Sequence, residues 1–167
     1  MGGEIPDSKG VMASLAANPA RLFTTLARAE MVTWTLLLLG MFAKYVLDLG
    51  GVGVRIAGSL HGFVFLSYAL VTVLVGVDQK WRVRDVAAGL ASAVIPYMTV
   101  PFKRAARRRG LLGEQWRLRQ QEGQGALDGA VRVVVRRPVP AALVSVVAIA
   151  LVFAGLLSAG PPTQWFA

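Results

Sequence analysis

The chain of 167 residues contains no cysteine and a single histidine, His61. Without cysteine it cannot form disulfides, thiolate metal sites or iron–sulfur clusters. One histidine cannot supply two axial ligands to haem, and neither an HExxH motif nor a phosphate-cradling GxxxxGK[ST] motif occurs. We therefore expect a protein that is not an enzyme, has no catalytic residues and carries no metal or other cofactor.

Charged residues are also scarce, at 16% of the chain, whereas hydrophobic residues make up 55%. The mean hydropathy of +0.57 is too high for a soluble single domain. Each of four apolar runs is long enough to cross about 30 Å of hydrocarbon as a helix. They cover residues 31–49, 56–77, 86–102 and 139–160. The sequence predicts an all-α polytopic membrane protein with four transmembrane helices.

The connections between these runs define the predicted organisation of the chain. The stretches DLGGVGVR and DQKWRVRD are short, so the first three helices are expected to be antiparallel neighbours. Asn18 is the expected cap of the first helix, just before Pro19. The predicted parts are a flexible leader (1–20), a three-helix unit (21–105), a basic, partly helical loop (106–138) and a fourth helix with a short tail (139–167).

Basic residues outnumber acidic ones by 18 to 9, and ten of them lie in residues 103–137. Trp116, with two leucines beside arginines, is typical of an amphipathic helix lying among lipid headgroups, although a solvated charged helix fits equally well. We expect the loop to bind anionic headgroups or an acidic partner rather than nucleic acid, because no nucleic-acid-binding module is recognisable. The predicted docking residues are Lys103, Arg104, Arg107, Arg108, Arg109 and Trp116.

The distribution of Lys and Arg also predicts an orientation. The loop 103–137 should face the cytoplasm of a bacterium, with the helices in the plasma membrane. Four spans then place both termini outside, with 12 basic residues inside and 6 outside. If the first run does not span, three spans remain and the N-terminus moves inside.

Four ionisable residues in or near the first two runs are candidate functional groups, because a charge at the bilayer centre costs about 2.5–3.5 kcal/mol. They are Glu30, Lys44, Arg55 and His61. A hairpin that turns near residue 51 predicts similar depth for Lys44 and His61, and places Glu30 near the opposite face, level with Lys80, Arg82 and Arg84. These groups could handle a proton or a ligand. In the structural alternative, Lys44 pairs with Asp48 or reaches the headgroups, and His61 bonds a backbone carbonyl.

Small residues predict where helices pack closely. Gly58 and Gly62 form a GxxxG step, and the same hairpin register places Gly40 level with Gly62 and Lys44 level with Gly58. In the third run, Ala88 and Ser92 form a comparable small-xxx-small step. Pro96 lies inside that run and is expected to kink the helix.

The stretch ARAEMVTWTLLLLGMFAKYVLDLGGVGVRIAGSLHGFVFLSYAL resembles a small bacterial integral-membrane family, domain of unknown function 3817. The family resembles a three-helix unit with a glutamate opening the first helix, a Lys-Tyr pair closing it and a Gly-x-x-His-Gly step in the second. The corresponding residues are Glu30, Lys44 with Tyr45, and Gly58 with His61 and Gly62. The resemblance covers residues 21–105 and implies a membrane fold without a known activity.

Our leading hypothesis from the sequence is an accessory or scaffold subunit of a larger plasma-membrane complex, in contact with other membrane subunits or with further copies of itself. The alternative is a small oligomeric proton- or ion-coupled transporter or channel that uses Lys44 and His61. A membrane sensor that signals through the basic loop is a third possibility.

Overall fold

The structure is a computed structural model and describes residues 17–158, apart from the side chains of residues 156 and 157. Every regular element within this range is an α-helix, which confirms the all-helical prediction. Most of the predicted leader (residues 1–16) and the tail (159–167) lie outside the described residues. The helices are α1 (Pro19–Tyr45), α2 (Val52–Asp78), α3 (Val83–Val94), α4 (Thr99–Arg108), α5 (Arg117–Gln120), α6 (Ala126–Arg136) and α7 (Pro138–Ser158).

The first two helices form a long antiparallel hairpin. α1 begins as predicted, because the side chain of Asn18 accepts a hydrogen bond from the backbone N–H of Arg21 at 2.9 Å and Pro19 occupies the first turn. Both helices have 27 residues and are therefore about 40 Å long. The turn between them uses left-handed backbone at Asp48 (φ 53°) and Gly50 (φ 78°).

The register of this hairpin differs from the predicted one. A β-carbon on Gly40 would lie 3.1 Å from the Cα of Val54, so Gly40 lies beside Val54 and not beside Gly62. The predicted turn near residue 51 is wrong because α1 already ends at Tyr45 and α2 already begins at Val52. Residues of α1 therefore face residues of α2 that lie about eight positions earlier in the chain than expected (54 in place of 62).

The predicted third span, residues 86–102, is not a continuous helix. α3 ends at Val94, Ile95 is extended (φ −98°, ψ 124°), and Tyr97 has a φ of 64°. Pro96 disfavours helical backbone at the residue before it, so it ends the helix instead of kinking it. With 12 and 10 residues, α3 and α4 are about 18 and 15 Å long, too short to cross about 30 Å of hydrocarbon.

Together α3 and α4 make a half-length hairpin. α3 runs back along α2, with the Ser92 hydroxyl 3.1 Å from the Tyr68 hydroxyl. α4 runs back along α1, and the Thr99 hydroxyl donates to the carbonyl oxygen of Ala27 at 3.3 Å. Consequently α4 ends at the level where α1 begins, and Arg107 lines the same cleft as Asn18 and Arg21.

Three helical segments are long and apolar enough to cross a membrane: Pro19–Tyr45, Val52–Asp78 and Pro138–Gly155. The predicted count of four is therefore not confirmed. Because the α3–α4 hairpin returns to its starting side, the N-terminal end of α1 and the basic loop lie on one side of the spans. The predicted topology, which put them on opposite sides, is corrected by this return. We call this side the loop side.

The basic loop packs against the helices on the loop side. Trp116 and Leu118 are buried together with Phe23, Tyr68 and Trp81. The predicted docking of Trp116 among headgroups is therefore wrong, since only 4% of this residue is exposed. The predicted amphipathic helix around it reduces to the four residues of α5.

Candidate functional site

Glu30 of α1 and His61 of α2 form an ionisable pair inside the spans. Oε2 of Glu30 lies 3.8 Å from Nδ1 of His61, and the glutamate side chain is fully buried. Glu30 is 11 residues from the start of α1 and 15 from its end, or about 16 and 22 Å. A hydrocarbon layer of about 30 Å contains this level wherever it lies along the helix.

Thr33 and Trp34 hold the imidazole in place. The Thr33 hydroxyl donates to the Glu30 carbonyl oxygen at 3.1 Å and lies 3.2 Å from Nδ1 of His61. Whether Nδ1 donates to this hydroxyl or accepts from it depends on the tautomer of the imidazole ring. The Trp34 ring packs on the imidazole, with their centroids 4.4 Å apart. His61 therefore bonds a side chain, not the backbone carbonyl of the structural alternative.

The carboxylate of Glu30 lacks hydrogen-bond partners of its own. Neither Oε1 nor Oε2 has one among the described residues. An ionised carboxylate in hydrocarbon without such bonds is strongly unfavourable. The pair is therefore stable when Glu30 is protonated, or when the carboxylate faces a protonated His61, and it can hold one proton on either residue.

Lys44 and Arg55 do not join this site. Nζ of Lys44 lies 3.3 Å from the Tyr45 hydroxyl at the hairpin end, and within residues 17–158 it makes no salt bridge to Asp48. Lys44 is 11 residues beyond Thr33, about 16 Å along α1. Arg55 is exposed in the first turn of α2. The predicted shared depth of Lys44 and His61 is wrong because of the register shift.

The same shift corrects the predicted position of Glu30. It lies beside His61 within the spans, whereas Lys80, Arg82 and Arg84 are exposed around the turn between α2 and α3. The observed register of α1 against α2 places Glu30 beside His61. A charged partner at the membrane face does not determine its position.

The predicted small-residue contacts are distributed over several helices. Gly58 lies against Leu37 of α1, and a β-carbon on Gly62 would lie 2.6 Å from the Phe153 ring of α7. The GxxxG step thus faces two different helices, and neither of its glycines faces Gly40 or Lys44. In α3, Ser92 is buried, whereas Ala88 is exposed and takes no part in the contact with α2.

Asp78 is a buried residue that sequence reasoning missed. At the end of α2, its carboxylate oxygens accept the backbone N–H groups of Arg117 and Leu118, each at 3.0 Å. The Arg117 side chain donates to the Asp78 carbonyl oxygen at 2.6 Å. A carboxylate at a helix C-terminus is opposed by the helix dipole. This unfavourable position was the available signal that Asp78 has another partner.

Two further ion pairs fix the loop. Arg117 bonds Asp128 at 3.1 Å, and the pKa of Asp128 is lowered by the backbone N–H of Gln124 and by Arg117. Arg109 bonds Asp85 at 2.8 Å, and this hydrogen bond lowers the pKa of Asp85. Arg109 is therefore committed within the chain. The other predicted docking residues, Lys103, Arg104, Arg107 and Arg108, lie on α4, and the three arginines are exposed.

No metal centre emerges from residues 17–158, where no three His, Asp or Glu side chains come together as ligands.

Comparison with known proteins supports the resemblance seen in the sequence. The family model described as a domain of unknown function (DUF3817) matches residues 20–108, which cover α1 to α4 apart from Pro19. A protein of Streptomyces coelicolor named "Putative membrane protein SCO5905" is 46% identical over 93 residues, which are 55% of this chain and 11% of that protein. The chain thus matches a small part of that relative's length. No solved structure matches.

Proposed function

The chain belongs to the DUF3817 family, and we propose that it is a non-enzymatic integral membrane protein that serves as an accessory or scaffold subunit of a larger plasma-membrane complex. The observation that carries the proposal is the break between α3 and α4, which we call the hairpin tip (residues 95–98). Its side chains are open to the surroundings: Ile95 is 50% exposed, and Tyr97 and Met98 are each 42% exposed.

The hairpin tip lies at the depth of the spans. The indole N–H of Trp34 donates to the carbonyl oxygen of Ala93 at 3.1 Å, and the Thr35 hydroxyl lies 3.2 Å from the Tyr97 hydroxyl. Both α1 residues are at least ten positions from either end of the helix, or about 15 Å. A hydrocarbon layer of about 30 Å along this helix of about 40 Å includes that level.

Irregular backbone at this depth cannot face lipid, because lipid offers no hydrogen-bond partners to peptide groups. Such backbone occurs in membranes where protein covers it or where it lines a water-filled cavity. We infer that a second protein chain, either another subunit or a further copy of this one, packs over the hairpin tip.

The exposure of α7 leaves room for such a partner. Leu143, Val144 and Leu151 are 64–68% exposed, and Ile149 alone is buried among the described side chains of this helix. Lipid can also cover an apolar helix. α7 is therefore compatible with a partner, and the hairpin tip is the stronger argument for one.

The relative from Streptomyces coelicolor supports a modular role. The segment that matches this chain is 11% of that protein, so in the relative it is joined to a much longer chain.

We propose that the loop side is cytoplasmic. Of the 17 Lys and Arg in residues 17–158, 15 lie on the α1-start, α2-end or loop portions, and only Lys44 and Arg55 lie at the other end of the α1–α2 hairpin. This distribution of 15 against 2 follows the positive-inside rule more closely than the 12 inside and 6 outside of the topology predicted from the sequence. The proposed lipid contacts of these basic residues are the anionic headgroups of that leaflet.

Photocrosslinking in native membranes tests the subunit role. A photoreactive amino acid at Ile95 should give crosslinks to protein, which mass spectrometry identifies. The matched control is Leu39 of α1, which is 59% exposed and lies on a regular helix. Adducts to lipid alone at both positions would contradict the proposal.

The Glu30–His61 pair favours a second candidate function, a proton- or ion-coupled transporter or channel that works as an oligomer. Two groups that bind and release protons are neighbours here, since Oε2 of Glu30 and Nδ1 of His61 lie 3.8 Å apart. Lys44, which the sequence suggested as the second residue of the path, lies about 16 Å along α1 from Thr33. We therefore assign the proposed path to Glu30 and His61.

Reconstitution in vesicles with an internal pH dye tests this candidate. Glu30→Gln and His61→Ala should each abolish proton flux, and Lys44→Gln should retain it. Flux that is absent in the native chain, or unchanged in the first two variants, would reject a transport function.

A further inference from the structure

A polar cleft of about 430 Å³ opens on the loop side, between the beginning of α1 and the end of α4. Three arginines from these helices line it. Two threonines of α1 lie between the two arginines of that helix. The lining residues are Asn18, Ala20, Arg21, Thr24, Thr25, Arg28, Arg107 and Glu114. We call it the basic cleft.

The basic cleft carries more positive than negative charge. Glu114 is the one acidic residue of its lining, and Arg21, Arg28 and Arg107 form no salt bridge within the described part of the chain. Lys103 lies one turn before Arg107. Burial lowers the pKa of Lys103, and so do the nearby Arg28, Arg104 and Arg107. Like charges held together without counter-charge repel one another, and a bound anion relieves this repulsion.

We propose that the basic cleft binds a phosphate group, carried either by an anionic phospholipid or by a soluble phosphate. Guanidinium groups form paired hydrogen bonds with phosphate oxygens, and threonine hydroxyls can donate to the same anion. The cleft begins at the first turn of a spanning helix, where headgroups meet the protein. The proposal does not depend on a partner subunit.

The topology of the chain creates this cleft. The sequence-based orientation placed Arg21 and Arg28 on one side of the membrane and Arg107 on the other. Only the return of the α3–α4 hairpin brings the two sets together, because α4 ends beside the first turns of α1.

Binding measurements on the delipidated full chain in detergent test the site. Native mass spectrometry measures retention of added phosphatidylglycerol. Phosphatidylcholine is the control lipid, because its choline group cancels the charge of its phosphate. Calorimetry measures binding of inorganic phosphate. The test variant is Arg28→Gln with Arg107→Gln. The matched control is Arg82→Gln with Arg84→Gln, which removes the same charge from exposed positions on the same side.

The affinity of the test variant for the phosphate-bearing probe should fall by at least about tenfold. The affinity of the control variant should stay within about twofold of that of the native chain. Arg21→Gln should weaken binding in the same direction, which keeps the proposal testable if the double variant does not fold. Phosphatidylglycerol that inorganic phosphate does not displace identifies a lipid ligand. Binding of inorganic phosphate without lipid retention identifies a soluble one.

Three results would overturn the proposal. They are an equal loss in the control variant, phosphatidylcholine retained as tightly as phosphatidylglycerol, and no binding of either phosphate probe by the native chain.

Discussion

α2 and α7 are both long and apolar enough to cross a membrane, yet the fold holds them in different ways. α2 buries seven residues against its own chain, among them the polar Thr72 and Asp78. α7 buries Ile149 alone among its described side chains. Apolar character suffices to place a helix in lipid, but in lipid it gives no reason for two helices to associate. Polar contacts and close-packed small residues decide which helix becomes part of the core.

Removal of the Asp78 carboxylate should weaken the attachment of α2 to the rest of the chain more than any other change. Asp78→Ala leaves the buried N–H groups of Arg117 and Leu118 without their acceptor. We expect a loss of about 2–5 kcal/mol in the free energy of unfolding, because each donor left without an acceptor costs about 1–3 kcal/mol. Thermal unfolding in detergent measures the loss, and protease digestion should show cleavage of residues 109–125.

The control for this variant is Glu122→Ala. Glu122 pairs with Arg132 at 3.5 Å, but its side chain is 91% exposed, so the change should cost less than about 1 kcal/mol. Similar unfolding midpoints for Asp78→Ala and Glu122→Ala would show that the buried anchor of α2 does not stabilise the fold.

A methyl group at Gly89 tests the close packing of α2. A β-carbon there would lie 2.7 Å from Cγ2 of Thr72 and 3.2 Å from the Phe102 ring. Gly89→Ala should therefore cost about 1–3 kcal/mol through overpacking. At Gly62 the clash is with the end of the flexible Phe153 side chain of α7, so Gly62→Ala should cost less. Equal losses by thermal unfolding would mean that α7 is held as firmly as α3.

Matched valines compare the two helices directly. Val75 of α2 is fully buried, and Val144 of α7 is 68% exposed. Val75→Ala should lower the free energy of unfolding by about 1–2 kcal/mol through lost packing, whereas Val144→Ala should change it by less than about 0.5 kcal/mol. Chemical denaturation of both variants measures the difference. A loss at Val144 as large as that at Val75 would place a partner on α7, and repeating the measurement at lower protein concentration would reveal it.

The smallest expected effect concerns Asp128, which links Arg117 to the segment that leads into α7. Its pKa is lowered from 3.8 in the folded chain, by the Gln124 N–H and then by Arg117. A depressed carboxyl pKa contributes stability above pH 3.8 that is lost as the pH falls through the folded value. Unfolding midpoints measured from about pH 6 to about pH 3, a range that includes the usual carboxyl pKa of about 4, should fall less steeply in Asp128→Asn. Identical slopes would contradict this contribution.

Hydrophobic run length and capping chemistry predicted much of the architecture. The all-helical class, the cap at Asn18, the first hairpin and the family all followed from local pattern. The third span did not, because apolar composition over residues 86–102 measures affinity for lipid and not helix continuity. Pro96 ends α3 through the backbone of Ile95, and the return of α4 that follows puts the start of α1 on the same side of the spans as the basic loop.

The Glu30–His61 pair could not be predicted for a related reason. A glycine-rich turn leaves the register of a hairpin open over several residues, and the contact of Gly40 with Val54 decides it. A shift of eight positions separates Lys44 from His61 and brings Glu30 to it. The sequence could single out His61 as a candidate, because one imidazole inside an apolar run is visible without knowledge of its partner.

The half-length hairpin of α3 and α4 has a consequence for how the unit can be reused. Residues 19–108 enter and leave the membrane on the same face, since α4 ends where α1 begins. Insertion of such a segment into a longer polypeptide leaves the inside–outside order of all later helices unchanged. A continuous third span would invert the orientation of every helix that follows. Because of the break at Pro96, the unit can be inserted in a longer polypeptide without changing the orientation of its other helices.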